Sequence, residues 1–180
     1  MPRPAYTPKG AIVSLWRSRA SEVLVPGPAG TGKTRGILEK VHLYLMNHPG
    51  SRGLIVRKTR ASMTESVLVT FETAVVGGSE ANINNQSRRS RWAYEYANGS
   101  VLVVGGLDNP DRIMSTEYDI VAAFEATELS EHDWELLTTR LRNSAGPYHQ
   151  AIADCNPTAP THWLKRRADR TDGRVRLAAP

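Results

Sequence analysis

Apolar positions along the chain follow two spacings, and each spacing predicts a different element. Helical spacing, with apolar residues three and four apart, predicts helices at residues 11–20, 32–48, 61–74, 130–142 and 161–167. Short apolar runs between turn residues predict strands at residues 22–25, 53–57, 118–124, 150–154 and 174–177. Ser62 with Glu65, and Ser130 with Asp133, have the capping-box spacing of a helix start. Strands that alternate with helices predict an α/β domain, whose mainly parallel sheet is covered by helices on both faces.

The middle of the chain departs from this alternation. Residues 92–96 alternate in polarity, and Asn98-Gly99 is a turn signal. Residues 100–104 would form the returning strand, so we expect a β-hairpin insertion in the sheet. Residues 105–116 are expected to form a loop with one helical turn. The first ten residues contain three prolines and predict an extended arm. The expected organisation is therefore an arm at residues 1–10 and one domain at residues 11–180.

Composition narrows the class of protein. Of the 180 residues, 40% are hydrophobic and 23% charged, which is typical of a globular domain. The net charge of +5 fits a nucleotide or an acidic polymer as partner, and equally a solubilising surface. Cys155 is the single cysteine, which excludes an internal disulfide and fits a reducing compartment. We expect a cytosolic protein that does not contact membranes, because no apolar run reaches the roughly 20 residues of a membrane span.

A glycine-rich motif with the pattern G-x-x-x-x-G-K-[ST], called a P-loop, lies between the first predicted strand and a helix. In such a loop the backbone N–H groups point at a phosphate, and the start of the helix adds its positive dipole end. Lys33 would reach the β- and γ-phosphates of ATP, and the Thr34 hydroxyl would hold Mg²⁺. A turn that binds nothing is the alternative, and the strand-loop-helix context disfavours it. The predicted nucleotide-binding residues are Gly27, Pro28, Ala29, Gly30, Thr31, Gly32, Lys33, Thr34 and Arg35.

Hydrolysis of ATP also requires a carboxylate that activates or orients water. Glu125 directly follows the apolar strand at 118–124, at the strand end where parallel sheets bind ligands, and we predict that it is the catalytic acid. We expect its strand to lie beside the P-loop strand. Glu128 and Glu131 follow in a loop or helix start, where acids are common for dipole reasons. Phe124 stands where an Asp that supports Mg²⁺ normally precedes the acid. Mg²⁺ would then depend on Thr34, phosphates and water, or hydrolysis would be slow.

With these residues in place, the sequence resembles the ATPase domain of the large terminase subunit of tailed double-stranded DNA phages. The resemblance covers roughly residues 11–167. Besides the P-loop it rests on segments whose order and spacing are similar to the family: LIVRKT at 54–59, ESV at 65–67, NGS at 98–100, EATEL at 125–129, Trp134 with RLR at 140–142, DCNP at 154–157 and THWL at 161–164.

The resemblance implies a RecA-like fold of the ASCE type and an ATPase that moves double-stranded DNA into a capsid. It also implies a portal protein and a small terminase subunit as partners, a homo-oligomeric ring in the working motor, a monomer when isolated, and the host cytoplasm as location. Asn156, with Cys155 beside it, resembles the coupling motif that senses γ-phosphate; from the residues alone an Asn-Pro turn is an equal alternative. Two departures are Phe124 and the Pro28-Ala29 pair, where many relatives have an arginine. We expect this chain to lack the family's nuclease domain.

Arginines supply the last group of candidates. A ring motor can insert an arginine into a neighbour's ATP site, and Arg112, Arg140 and Arg142 are candidates for such a finger, though each could equally be a surface residue. Arg88, Arg89 and Arg91 form a basic cluster before the hairpin that could contact DNA phosphates or simply form a charged face. Two rival functions stay open: another helicase-like, DNA-directed ATPase, and a nucleotide-binding assembly or regulatory module that hydrolyses little.

Overall fold

A computed structural model of the chain describes residues 5–76, 81–82, 90, 92–156, 159–169 and 175–177. The helices are α1 Ala11–Arg17, α2 Lys33–Asn47, α3 Val67–Thr70, α4 Pro110–Met114, α5 Glu131–Thr139 and α6 Trp163–Ala168. The strands are β1 Glu22–Pro26, β2 Arg52–Arg57, β3 Ala81–Asn82, β4 Ala93–Tyr96, β5 Val101–Gly106, β6 Ile120–Ala123, β7 Gln150–Cys155 and β8 Val175–Leu177. None of the helices in these ranges combines the length and the hydrophobicity that crossing a membrane requires.

The described strands form one sheet in the order β3-β4-β5-β2-β6-β7-β1-β8. All neighbours from β5 to β8 run parallel, whereas β4 pairs antiparallel with both β5 and β3. The turn between β4 and β5 contains Gly99 with φ 81°, and the Asn98 side chain donates to the carbonyl oxygens of Leu45 and Met46. The predicted α/β class, mainly parallel sheet and hairpin insertion are therefore confirmed.

Two apolar cores cover the two faces of this sheet. One core contains buried residues of α1, α2 and α3, and the other contains buried residues of α4, α5 and α6. Side chains alternate between the faces along β1, β2, β5, β6 and β7, as the pleat requires. On β7, for example, Ile152 packs in the first core while Ala151, Ala153 and Cys155 pack in the second. Strands buried on both faces explain why the sequence shows continuous apolar runs rather than alternation.

The predicted helix at residues 61–74 is wrong as a single helix. The segment divides into a 3₁₀ turn at Ala61–Met63, the short α3 and a π-helical turn at Phe71–Val75. Ser66, Thr70 and Thr73 each donate a hydroxyl hydrogen bond to the carbonyl oxygen four residues earlier, a contact that bends helices. The expected capping box is also absent here, because the Ser62 hydroxyl donates to the Thr59 carbonyl oxygen instead.

The expectation that the Glu125 strand adjoins the P-loop strand is wrong. Strand β7 lies between them and pairs in parallel with both β1 and β6. Lateral strand order depends on how the crossover helices pack over the sheet, and no local sequence pattern specifies it. Because β7 lies between β1 and β6, its carboxyl end separates the P-loop from Glu125.

A buried ion pair connects the P-loop strand to the last helix. The guanidinium of Arg167 donates to Glu22 with Nε–Oε2 at 2.7 Å and Nη2–Oε1 at 2.9 Å, and Trp134 Nε1 donates to the same carboxylate at 2.7 Å. The side chains of Arg167 and Glu22 are 13% and 11% exposed. The basic segment at residues 165–167 is thus partly structural and not a free cationic surface.

Replacement of Arg167 by Ala should lower the free energy of unfolding by about 3 kcal/mol, because it leaves the Glu22 carboxylate buried without its cation. Urea denaturation followed by circular dichroism measures this change. Lys165→Ala is the matched control, since Lys165 pairs with Asp169 on the surface and such pairs are worth less than about 1 kcal/mol. Equal stability of both variants would show that the Glu22–Arg167 pair contributes no more than an exposed pair does.

Candidate nucleotide-binding site

The P-loop curls over the start of α2 at the carboxyl end of β1. Its first residue remains tied to the sheet, because the Gly27 N–H donates to the carbonyl oxygen of Cys155 on β7 at 3.1 Å. Gly30 and Gly32 have φ of 80° and 79°, a region that glycine enters without steric cost. Most of the loop is exposed to solvent. The loop therefore presents an open backbone concavity at a helix N-terminus, which is the geometry that binds phosphate.

Lys33 is the central cation of the site. It is only 8% exposed, and its ammonium donates to the carbonyl oxygens of Gly27 at 2.6 Å and Pro28 at 2.9 Å. The side chain is thus folded back onto the loop that surrounds it. Arg35, the last of the predicted nucleotide-binding residues, instead places its guanidinium over the Tyr6 ring at 5.0 Å and its Nε 3.5 Å from Glu39. The Tyr6 contact holds Arg35 against the N-terminal segment, and the Glu39 pair lies within α2.

Glu125 follows β6 and has an unusual backbone conformation. Its φ is 49°, and it is the one non-glycine residue with positive φ among those that the structure describes. This conformation costs a non-glycine residue about 1–3 kcal/mol and persists where the surroundings impose it, commonly at functional sites. The left-handed residue starts the turn Ala126–Glu128 and leaves the carboxylate half-buried at the edge of the sheet.

Asn156 connects the acid to the P-loop. Its Nδ2 donates to Oε2 of Glu125 at 3.3 Å, and its Oδ1 accepts from Lys33 Nζ at a long 3.5 Å. The structure thus brings together Lys33, which the sequence placed at a helix start, and Asn156 and Glu125, which it placed after two separate strands. Cys155 points away from this cluster into the opposite core, and burial raises the pKa of its thiol to about 11.

Asp154 is a member of this cluster to which the sequence analysis gave no role of its own. It is 6% exposed and lies at the carboxyl end of β7, with Oδ1 at 3.7 Å from Lys33 Nζ. Burial raises the pKa of this carboxyl to about 6, against the charge of Lys33 that lowers it and the charge of Glu125 that raises it further. The signal was available in the sequence, because an acid that ends an apolar strand is the same pattern that identified Glu125.

The other acids that flank β6 or follow Glu125 have structural partners. Glu128 forms an ion pair with Arg57 at 3.2 Å, and Glu131 forms one with Arg167 at 3.4 Å. Asp119 is fully buried at the opposite end of β6, where it accepts hydrogen bonds from Asn143 and three backbone N–H groups. These contacts leave Glu125 as the acid of this strand that faces the P-loop.

The oxygen donors at the site fit a magnesium ion that accompanies the nucleotide. Mg²⁺ prefers oxygen ligands and is usually bound by few protein groups together with phosphates and water. The Thr34 side chain and the Asp154 carboxylate are close enough to form a hydrogen bond that lowers the pKa of Asp154. In the part of the chain that the structure describes, no group of three or more His, Cys, Asp and Glu side chains is arranged to hold a metal without a nucleotide.

The three candidate finger arginines have different environments. Arg112 is exposed and stacks on the Trp92 ring at 4.0 Å. Arg140 donates to the carbonyl oxygen of Met114 at 3.0 Å. Arg142 is 57% exposed and pairs with Glu117 at 3.1 Å. Arg88, Arg89 and Arg91, the predicted DNA contacts, lie outside the described residues.

The parallel sheet, the P-loop and the Glu125–Asn156 pair define a P-loop nucleotide-binding domain of the RecA-like class. The family model described as phage terminase large subunit matches residues 19–176, and the chain belongs to this family. No curated protein sequence matches the chain.

Solved structures of large terminases share this fold. The large terminase of a thermophilic bacteriophage is 14% identical with a TM-score of 0.76, and the match covers 95% of this chain and 45% of that one. The same phage protein in complex with ADP is 14% identical with a TM-score of 0.70, with 92% and 42% covered. The large terminase ATPase domain of a Thermus phage is 19% identical with a TM-score of 0.64, with 86% and 66% covered. The chain thus spans less than half the length of the first of these proteins.

Proposed function

We propose that this chain is the ATPase of a viral DNA-packaging motor and couples ATP hydrolysis to the movement of double-stranded DNA into a capsid. The observation that carries the proposal is the convergence of Lys33, Asn156 and Glu125 at one edge of the sheet, in a member of the large terminase family. ATP hydrolysis uses a P-loop lysine on the phosphates and a residue that activates or orients water, and Asn156 contacts both candidates for these roles.

Each side chain has a defined part in this proposal. Lys33 would exchange the carbonyl oxygens of Gly27 and Pro28 for the β- and γ-phosphates, where its charge is needed. Glu125 would accept the proton of the attacking water, while Asn156 fixes one of its oxygens and leaves the other free to act. When bound with ATP, Mg²⁺ supplies neutralising charge on the phosphates, and Thr34 is the P-loop residue that would hold it.

The partners of the proposed motor follow from the family. We infer double-stranded DNA as the substrate, a portal protein and a small terminase subunit as partners, and a ring of copies in the working state. In such an assembly we favour Arg112 as the arginine that enters a neighbouring subunit's site. It is exposed and stacks on the Trp92 side chain, and a contact with the neighbour's phosphate can replace this stacking. Residues 11–180 would form the ATPase domain behind an arm at residues 1–10, and we assign no nuclease site to them.

The test is steady-state ATPase activity with and without double-stranded DNA. We expect Mg²⁺-dependent release of phosphate that Glu125→Gln abolishes and that double-stranded DNA stimulates more than single-stranded DNA does. Stimulation by single-stranded DNA alone would favour a helicase-like ATPase. Nucleotide binding without turnover would favour an assembly or regulatory module. The burial of Phe124 at the position of the usual acid is the observation that favours this alternative.

A further inference from the structure

The residue before Glu125 cannot supply a carboxylate to the site, yet an adjacent strand does. Phe124 is 1% exposed and packs in the same core as α2. Strands β6 and β7 pair in parallel with Ala123 opposite Ala153, so one further residue in the same register places Phe124 opposite Asp154. Neighbouring strands lie about 4.8 Å apart, and paired residues share a face of the sheet. Asp154 therefore occupies the position beside the missing acid, one strand closer to the P-loop.

The surroundings of Asp154 face the phosphate cradle. On its other side Asp154 pairs with Val25 of β1, directly before the chain turns into the P-loop. Its Oδ1 is buried, accepts no hydrogen bond of normal geometry and lies 3.7 Å from Lys33 Nζ. Burial of a carboxylate whose Oδ1 has no hydrogen-bond partner costs free energy even though Lys33 and the Thr34 side chain lie beside the group, and an apolar or amide residue would avoid that cost. An under-coordinated acid beside Lys33 and Thr34 indicates a cation that arrives with the ligand.

We propose that Asp154 on β7 performs the metal-supporting role that an Asp before Glu125 would otherwise have, so that the carboxylate for Mg²⁺ comes from the neighbouring strand. This inference rests on the proposed nucleotide site. In this proposal Thr34 and Asp154 would support Mg²⁺, whereas Glu125 and Asn156 would orient and activate the attacking water. The two acids of the site then have separate tasks and come from the ends of the neighbouring strands β6 and β7.

The test measures metal dependence separately from hydrolysis. Binding of a non-hydrolysable fluorescent ATP analogue is titrated with Mg²⁺ in the wild-type chain and in Asp154→Asn, and bound Mn²⁺ is counted by electron paramagnetic resonance. We expect the Mg²⁺ midpoint to rise about 10-fold or more, which is the usual effect of removing a metal-supporting group. Binding without metal should not weaken, because the amide removes negative charge near the phosphates.

Glu128→Gln is the matched control, because this acid pairs with Arg57 and should leave the Mg²⁺ midpoint unchanged. If Asp154 only anchors Lys33, Asp154→Asn will alter metal-free binding and leave the Mg²⁺ midpoint at the wild-type value, which overturns the proposal. Asp154→Ser provides a second small polar replacement in case Asn disturbs folding, with thermal melting measured for both. A raised Mg²⁺ midpoint in Asp154→Asn, together with no turnover by the wild-type chain, would retain the metal assignment and reject the ATPase proposal.

Discussion

Replacement of Lys33 by Ala should abolish ATP hydrolysis and weaken nucleotide binding. Lys33 is the cation whose ammonium contacts the P-loop carbonyl oxygens and lies within reach of both Asn156 and Asp154. Its loss removes the fixed positive charge that the β- and γ-phosphates need in the transition state, and loss of one such interaction lowers kcat at least about 100-fold. Phosphate release and fluorescence binding of an ATP analogue measure the two effects.

The control for this prediction is Lys58→Ala. Lys58 is 48% exposed, pairs with Asp133 at 3.0 Å and lies outside the P-loop, so its removal should leave turnover unchanged. Lys33→Ala also leaves Asp154 without its cation, so thermal melting must show that the variant is folded before activity is compared. Normal turnover in folded Lys33→Ala would remove the P-loop assignment.

The elements of the site could be predicted from the sequence because local chemistry specifies them. The loop Gly27–Lys33 needs backbone conformations that glycine supplies, and two of its glycines have positive φ in the structure. Ser130 and Asp133 form the expected capping box at the start of α5, since both hydrogen bonds are local. The Asn98-Gly99 turn of the hairpin is local in the same way.

The arrangement of these elements could not be predicted in the same manner. That β7 separates β1 from β6 is a property of tertiary packing, and it makes Asp154 and Asn156 central to the site. In the sequence, Phe124 occupies the position of a metal-supporting acid, which suggests that this acid is missing. In the structure its ring fills the core, and the acid that we propose in its place, Asp154, lies beside it through strand register rather than through sequence spacing.

The prediction of a single helix at residues 61–74 is wrong for a similar reason. Apolar spacing favoured one helix, but Ser66, Thr70 and Thr73 can bond to their own backbone and so compete with regular helical hydrogen bonds. The Arg57 guanidinium adds a side-chain contact by donating to the Ser62 carbonyl oxygen at 3.3 Å. Periodicity alone does not weigh such contacts.

Replacement of Glu125 by Gln should separate nucleotide binding from hydrolysis. Gln has the same length and can keep the contact with Asn156, but its amide cannot accept the proton of the attacking water. Because general-base catalysis contributes about 10²–10⁴-fold, we expect turnover to fall by at least about 100-fold while the ATP analogue still binds. The positive φ of Glu125 is equally strained for Gln, so the melting temperature should change little.

The paired experiment compares Glu125→Gln with Glu128→Gln. Glu128 is engaged by Arg57 and should be dispensable for turnover, whereas Glu125 should be essential. Normal hydrolysis by Glu125→Gln together with loss in Glu128→Gln would show that the general base is the second acid. Asn156→Ala separates the orientation of the base from its chemistry. Loss of the Nδ2–Oε2 contact should lower turnover less than loss of the carboxylate does, because Glu125 remains and only its orientation is less fixed.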